Sequence, residues 1–201
     1  MRQRTYETLE KLYSKYCGYI ATNDLLKEGF TNRQIAQLQQ EGYLDKIANG
    51  RFWLCRSGMD KPTDYKAIEV GFVNKEAVVI ADSACFYQGL IDIEPPRLSI
   101  ATRRSDRHQM RLPFEVTRHY LADSGFEEEK KKVETKFGDY QIYEIGRSVC
   151  DCIRFRESIE GDIFDLIIEN YRKEEHDRRM KNRLLAYARA MKFEEKAKEI
   201  L

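Results

Sequence analysis

The fold is decided by residues 19–54, which read YIATNDLLKEGFTNRQIAQLQQEGYLDKIANGRFWL. Two short segments with a helical spacing of apolar residues come first, and only Gly29-Phe30-Thr31 separates them. Two apolar segments follow on either side of Asn49-Gly50, a residue pair that favours a tight turn with positive φ at both positions. The pattern predicts a helix-turn-helix followed by a β-hairpin, with Tyr19-Ile20-Ala21 as a short strand that pairs with the hairpin.

The second helix of this stretch has the clearest boundary signals. Thr31 and Gln34 match a capping box, so we expect the helix to run from Asn32 to Glu41. Thr22 is the expected N-cap of the first helix. By helical spacing, one face of the second helix is apolar, and the opposite face carries Asn, Arg and Gln side chains. These side chains can bond to base edges in a DNA major groove.

The hairpin has a basic tip, because Lys46 and Arg51 flank its turn. A basic hairpin after a polar-faced helix is typical of a winged helix, in which the helix reads bases and the wing contacts phosphates. The alternative is a module of the same fold that contacts another protein. Arg33, Gln34 and Gln37 are the expected base contacts. The full set of predicted DNA-contacting residues is Thr31, Asn32, Arg33, Gln34, Gln37, Gln40, Lys46, Asn49 and Arg51.

The chain has 201 residues, of which 42% are hydrophobic, so it can form one large or two small domains. A polar stretch with Gly58 and Pro62 predicts a linker. We therefore expect an α+β protein, with a winged helix-turn-helix domain over residues 1–57. A mixed α/β domain over residues 64–201 would end in a helical C-terminal region. The net charge is +1, and residues 1–58 hold nine Lys and Arg against six Asp and Glu, a small excess that suits DNA.

Nothing in the composition points to catalysis, a metal or a membrane. The five cysteines, the lack of a secretory signal and the lack of an apolar run of ~18 residues favour a reduced, cytoplasmic protein. We predict that Cys150 and Cys152 are small buried residues on a helix rather than metal ligands. There is no P-loop, dinucleotide turn or nucleophile elbow, and the three histidines lack ligand spacing. We expect no enzymatic activity, no catalytic residues, no metal and no cofactor.

Two further stretches, around residues 97–118 and 178–192, are rich in arginine and lysine. They predict a second basic surface for DNA backbone or for an acidic partner. The equally weighted alternative is that these side chains are solvated and pair with acidic runs such as Glu127–Glu129. The charged stretch from Glu127 to Lys136 is expected to be a solvated loop. The candidate residues of the second basic surface are Arg103, Arg104, Arg107, Arg178, Arg179, Lys181 and Arg183.

The order and spacing of several motifs resemble one known family. The chain is similar to the antitoxins of AbiE-type abortive-infection systems, which are type IV toxin–antitoxin systems, and to related winged-helix regulators. The resemblance spans nearly the whole chain. The motifs that carry it are Gly18–Leu25, Thr31–Ile35, Gly42–Leu54, Ala81–Ala84 with Gly89-Leu90, Gly146–Arg156 and the pair Tyr187-Ala188.

The resemblance implies a phage-defence regulator that represses its own operon by binding inverted repeats in double-stranded DNA. It also implies a C-terminal domain that counters a nucleotidyltransferase-like toxin without forming a stable complex with it. One departure is Lys46, where the family often has arginine, because lysine cannot make the bidentate fork of a guanidinium. The alternatives are a solitary winged-helix regulator and a protein-interaction adaptor, both without a toxin partner.

Overall fold

A computed structural model of the chain describes residues 3–55, 60–173 and 178–200. The protein is α+β and divides into two compact units. Unit 1 comprises the chain up to Val73, together with Met110–Pro113 and Glu134–Asp139. Unit 2 comprises the remainder. Among the described residues, no helix has the length and apolarity that a membrane crossing requires.

Unit 1 combines four helices of the described chain with a three-stranded antiparallel sheet. The sheet has the order β1-β3-β2, so the predicted pairing of residues 19–21 with the hairpin is confirmed. Tyr19 lies opposite Trp53, and Leu44 lies opposite Leu54. The elements are α1 (Gln3–Tyr16), β1 (Tyr19–Ala21), α2 (Thr22–Lys27), α3 (Asn32–Gln40), β2 (Leu44–Ala48), β3 (Arg51–Leu54) and α4 (Tyr65–Val73).

The start of α3 is as predicted, whereas the start of α2 is not. Thr31 and Gln34 form the complete capping box, and Ile35 and Leu38 are buried beneath α3. The prediction of Thr22 as an N-cap is wrong, because Thr22 is already helical and Ala21 precedes the helix without a side-chain cap. The Thr22 backbone N–H instead donates to the carbonyl of Gly50 at 2.8 Å, which ties the helix start to the hairpin turn.

The hairpin turn differs from the expected form. Gly50 has a φ of +70°, but Asn49 is not among the described residues with positive φ. Only one of the two turn positions therefore has a positive φ. The pairing register shifts between Lys46 and Ala48, which marks a β-bulge. A bulge increases the local right-handed twist, and that twist is what a turn with two positive φ values would otherwise supply.

α4 lies within unit 1, although the sequence assigned residues from 64 onward to the second domain. Its Glu69 side chain is fully buried and accepts a hydrogen bond from the Tyr19 hydroxyl. Its Phe72 ring lies under the guanidinium of Arg51. The residues that form each of these contacts are far apart in the sequence, so composition alone could not reveal the contacts. The division into domains at residues 57 and 64 stays a prediction.

Unit 2 is built around a five-stranded sheet of order β6-β5-β4-β8-β7. β4 is antiparallel to β5 and parallel to β8, and β5 is parallel to β6. The strands are β4 (Val78–Val79), β5 (Leu98–Arg103), β6 (Val116–Leu121), β7 (Lys130–Glu134) and β8 (Asp139–Tyr143). The helices are α5 (Ala81–Tyr87), α6 (Ile145–Arg154), α7 (Gly161–Lys173), α8 (Arg178–Ala190) and α9 (Glu194–Ile200), with a 3-10 turn at Arg156–Ser158.

Two expectations for unit 2 have clear outcomes. The stretch from Glu127 to Lys136 is not simply a loop, because Lys130–Glu134 form the edge strand β7. Lysines suit a sheet edge, where they oppose pairing with another chain, but their charge hides the strand in the sequence. The predicted burial of Cys150 and Cys152 on a helix is confirmed, since both are fully buried on α6.

Candidate nucleic-acid interface

The polar face of α3 lies in solvent. Ile35 and Leu38 are 5% and 3% exposed and fix the helix on its apolar side. The predicted base- and backbone-contacting residues project from the other side. Asn32, Arg33, Gln34, Gln37 and Gln40 are all exposed. The helix therefore presents the donors and acceptors that major-groove recognition uses.

The five side chains of this face are not equally available. Gln34 Oε1 accepts from the Thr31 backbone N–H at 2.8 Å and from Thr31 Oγ1 at 2.9 Å. Gln37 Nε2 donates to Glu41 Oε1 at 2.7 Å. Arg33 and Gln40 have no side-chain partner among the residues that the structure describes. Of the three expected base-contacting residues, Gln34 and Gln37 thus already form side-chain hydrogen bonds within the described structure, and Arg33 does not.

The hairpin supplies a second set of polar groups. Lys46 and Asn49 are exposed. Arg51 is partly buried, and its Cζ lies 4.5 Å from the centroid of the Phe72 ring. Because a stacked guanidinium keeps its N–H edge for other partners, this contact orients Arg51 without consuming its donors. Lys46 and Arg51 nevertheless differ, since Lys46 is exposed, whereas Arg51 is partly buried and stacks on Phe72.

Neighbouring acids already neutralise several cations of unit 1. Lys15 lies 2.6 Å from Glu28, and this bond raises the pKa of Lys15 and lowers the pKa of Glu28. Lys27 lies 3.2 Å from Asp24. Within residues 19–54, all described, Arg33 and Lys46 form no ion pair. The uncompensated positive charge of this stretch therefore includes one cation on α3 and one on the hairpin.

The second basic surface is only partly present. Arg103 pairs with Asp123 at 2.9 Å and with Glu127, so nearby acids compensate its charge. This pairing agrees with the alternative expectation, in which the arginines pair with acidic runs such as Glu127–Glu129. Arg104 and Arg107 are exposed, and Arg107 Nη1 donates to the Arg104 carbonyl at 3.3 Å. Two more arginines of the same stretch also form ion pairs. The side chains of Arg178, Arg179, Lys181 and Arg183 lie outside the described part of the structure.

The second of these further pairs ties the loop that follows β5 to β6. Arg97 Nε lies 2.8 Å from Glu115, and Arg118 Nη2 lies 3.0 Å from Asp106. Asp106 also binds His108, whose Nδ1 is 2.9 Å away. Burial alone would raise the pKa of Asp106. The hydrogen bonds from His108 and Asn74 and the positive charge of Arg118 outweigh burial and lower this pKa. The exposed His108 is thereby held beside an open cavity of about 510 Å³.

A buried charge cluster in unit 2 was not predicted from the sequence. Arg147 and Asp151, one turn apart on α6, are 3% and 0% exposed. Arg147 Nη1 donates to the carbonyls of Gly125 and Glu128, and Tyr187 donates to Asp151 Oδ1 at 3.0 Å. Burial raises the pKa of Asp151 to about 6, against the lowering effect of Arg147. The only available signal was the i, i+4 spacing of the two charges.

This cluster adjoins a cavity of about 370 Å³, lined by residues that include Arg147 and Tyr187. Among the residues that the structure describes, Arg147 Nε and Nη2 have no hydrogen-bond partner, and neither atom is accessible to solvent. Nε lies 3.9 Å from Asp151 Oδ2. The guanidinium therefore serves chiefly to join loop residues 125–128 to α6. Among the described residues, no three His, Cys, Asp or Glu side chains form a group that could hold a metal ion.

Comparison with known proteins gives a fold likeness alone. The sequence matches no protein-family model, and no curated protein matches it. The structure is similar to the crystal structure of protein Rv2827c from Mycobacterium tuberculosis, with a TM-score of 0.65 and 13% sequence identity. The similarity covers 98% of this chain and 78% of that chain.

Proposed function

We propose that unit 1 is a winged helix-turn-helix domain that binds double-stranded DNA, with α3 as the recognition helix and the β2–β3 hairpin as the wing. The observation that carries the proposal is the solvent face of α3, where Arg33 is exposed and has no ion-pair partner in the described part of the chain. Lys46 on the following hairpin supports it, since this lysine is exposed and pairs with no described acid and wings contact the DNA backbone.

In this proposal, Arg33 supplies the principal base contact. Its guanidinium can bond to O6 and N7 of guanine. Gln40 and Asn32 are exposed amides that can bond to adenine, whereas Gln37 must first leave Glu41. Lys46 contributes a phosphate contact that carries no sequence information. Arg51, stacked on Phe72, is positioned for a backbone contact rather than for reading bases.

We further propose that the protein represses its own operon and acts as a type IV antitoxin in phage defence. The support for this step is the sequence resemblance to AbiE-type antitoxins, which extends into Gly146–Arg156 of unit 2. The partner would be a nucleotidyltransferase-like toxin that is countered without a stable complex, in the cytoplasm. The protein would act by binding rather than by catalysis.

A binding measurement on the DNA upstream of the coding sequence tests the DNA-binding part. We expect the full chain to shift a labelled upstream fragment at concentrations that leave a scrambled fragment of equal length unbound. Equal binding to both fragments would contradict sequence recognition. No binding to either would leave a protein-interaction adaptor as the better description.

Co-expression tests the antitoxin part separately. A nucleotidyltransferase-type gene adjacent to this one should inhibit growth when expressed alone, and this protein should restore growth. If growth is not restored, or if no such neighbour exists, the protein is a solitary regulator. A pull-down between the two proteins should recover little complex.

A further inference from the structure

One ammonium group joins α4 to the hairpin of unit 1. Lys61 Nζ lies 2.8 Å from Glu69 Oε1 on α4 and 3.2 Å from Asp45 Oδ2 on β2. Glu69 is fully buried, and the Lys61 side chain is only 19% exposed. Burial alone would lower the pKa of Lys61, but its bonds to Glu69 and Asp45 outweigh burial and raise it.

The same glutamate also holds the opposite edge of the sheet. The Tyr19 hydroxyl donates to Glu69 Oε1 at 3.1 Å, and Tyr19 belongs to β1. Since the strand order is β1-β3-β2, the two edge strands converge on Glu69, one through Tyr19 and the other through Lys61. We call the four side chains Tyr19, Asp45, Lys61 and Glu69 the latch.

The central strand meets α4 as well. Arg51 on β3 stacks over Phe72, with its Cζ 4.5 Å from the ring centroid. The Tyr19 ring meets the same phenylalanine edge-on at 5.0 Å. Tyr19 therefore connects β1 to α4, and Arg51 connects β3 to α4. The third strand, β2, is connected through the pairing of its Asp45 with Lys61.

We infer that Lys61 and Glu69 are positioning residues for DNA binding, because the latch holds the hairpin where Lys46 can reach the phosphate backbone. The inference rests on the proposed function. Asp45 precedes Lys46 on β2, so a contact that fixes Asp45 also fixes the strand from which Lys46 projects. Binding groups lose effect when their support is loose by about 1 Å, even if they are themselves unchanged.

Asp45→Ala is the decisive variant. If Asp45 acts only through its negative charge, the variant should bind DNA more tightly, whereas if Asp45 acts through the latch, the variant should bind more weakly. Its side chain is 50% exposed, and its loss leaves Glu69 bonded to both Lys61 and Tyr19, so the fold is retained. Removal of an acid from a DNA-facing surface would ordinarily strengthen binding. Loss of the latch instead lowers operator affinity by about threefold or more and reduces the slope of log K against log salt by about one phosphate contact.

Asp24→Ala is the matched control, because Asp24 is another acid of unit 1 that pairs with a lysine but not with the hairpin. It should leave affinity unchanged or raise it. Lys61→Met should weaken binding in the same way as Asp45→Ala, and Lys61→Arg should restore it, since a guanidinium can bridge both carboxylates. Higher affinity for Asp45→Ala, or no rescue by Lys61→Arg, would overturn the inference.

Hydrogen exchange of the DNA-free protein separates this inference from the proposed function. Backbone amides of residues 44–54 should exchange faster in Asp45→Ala and Lys61→Met than in the wild type, while those of α3 should not. If the wild type fails to bind DNA, the proposed function falls, and the exchange data still decide whether the latch holds the hairpin. Unchanged exchange in both variants would overturn the latch itself.

Discussion

The ring of Trp53 occupies the space that a side chain on Gly18 would need. A Cβ built on Gly18 would lie 2.3 Å from Cζ3 and 2.5 Å from Cη2 of Trp53. Tyr13 and Tyr19 meet the same ring edge-on, at centroid distances of 5.7 and 4.8 Å. The glycine after α1 thus lets the backbone pass against the aromatic cluster that anchors β3.

Substitution of Gly18 by alanine should therefore be strongly destabilising. Gly18 has a φ of +88°, where an L-residue costs about 1–2 kcal/mol, and overpacking against Trp53 adds about 1–3 kcal/mol. Gly29 is a matched control, because its φ is +87° but nothing lies within 4 Å of an added Cβ. Urea unfolding should show a clearly larger loss for Gly18→Ala than for Gly29→Ala. Equal losses would mean that Trp53 moves aside at no cost.

Gln34 should behave as a capping residue rather than as a base reader. Its side chain accepts two bonds from Thr31 at the start of α3. We expect Gln34→Ala to lower the free energy of unfolding by about 0.5–1 kcal/mol, near the lower end of the capping range. The ratio of affinities for operator and single-base operator variants should stay the same. A change in preference at one base pair would instead show that Gln34 leaves the capping box on DNA.

The buried Asp151 should make stability depend on pH. Burial raises the pKa of Asp151 from 3.8 to about 6, so the folded state holds this proton more tightly than the unfolded state. Its stabilising contribution is present below about pH 4 and is lost as the pH rises through 6, a change of about 3 kcal/mol. The stability of the wild type relative to Asp151→Asn should therefore fall between pH 4 and pH 7.

Asn can still accept the bond from Tyr187, so this variant removes the titration and keeps the contact. Asp165→Asn, at an exposed position of α7, controls for the loss of one carboxylate. Parallel stability curves for the wild type and Asp151→Asn across this pH range would show that Asp151 does not titrate as described.

Loss of Arg147 should be strongly destabilising, because Asp151 stays buried beside it. Removing one partner leaves a buried charge without compensation, which typically costs about 3–5 kcal/mol. Arg147→Met also removes the donor that the carbonyls of Gly125 and Glu128 share. Thermal unfolding at pH 7 should show that adding Asp151→Asn to Arg147→Met recovers part of the loss. If the double variant is less stable than Arg147→Met, the two charges are not coupled.

The features of unit 1 that were predictable from the sequence are those with local causes. The capping box of Thr31 and Gln34 involves residues three positions apart, and the burial of Ile35 and Leu38 follows from helical spacing. The pairing of Tyr19–Ala21 with β3 was expected because winged helices often have a short strand that pairs with the hairpin. Each of these predictions needed only a short window of sequence.

The features that escaped prediction depend on distant residues. Thr22 is not an N-cap because its N–H bonds to Gly50, 28 positions later. The contacts of α4, from Glu69 to Tyr19 and from Phe72 to Arg51, also join residues that are distant in the sequence. For the candidate interface, residue types indicated which side chains face outward. They could not indicate that Gln34 and Gln37 are already bonded, because those bonds require the folded geometry.

Operator binding by Arg33→Ala and Lys46→Ala distinguishes base recognition by α3 from a general electrostatic attraction. Both side chains are exposed cations with no ion pair to any residue that the structure describes, so a purely electrostatic role would make the two variants alike. We expect Arg33→Ala to cost about 1–3 kcal/mol on the operator and to relax discrimination at one base pair. Lys46→Ala should weaken all sequences equally and reduce the salt slope by about 1. Unchanged operator affinity and discrimination in Arg33→Ala would contradict α3 as the recognition helix.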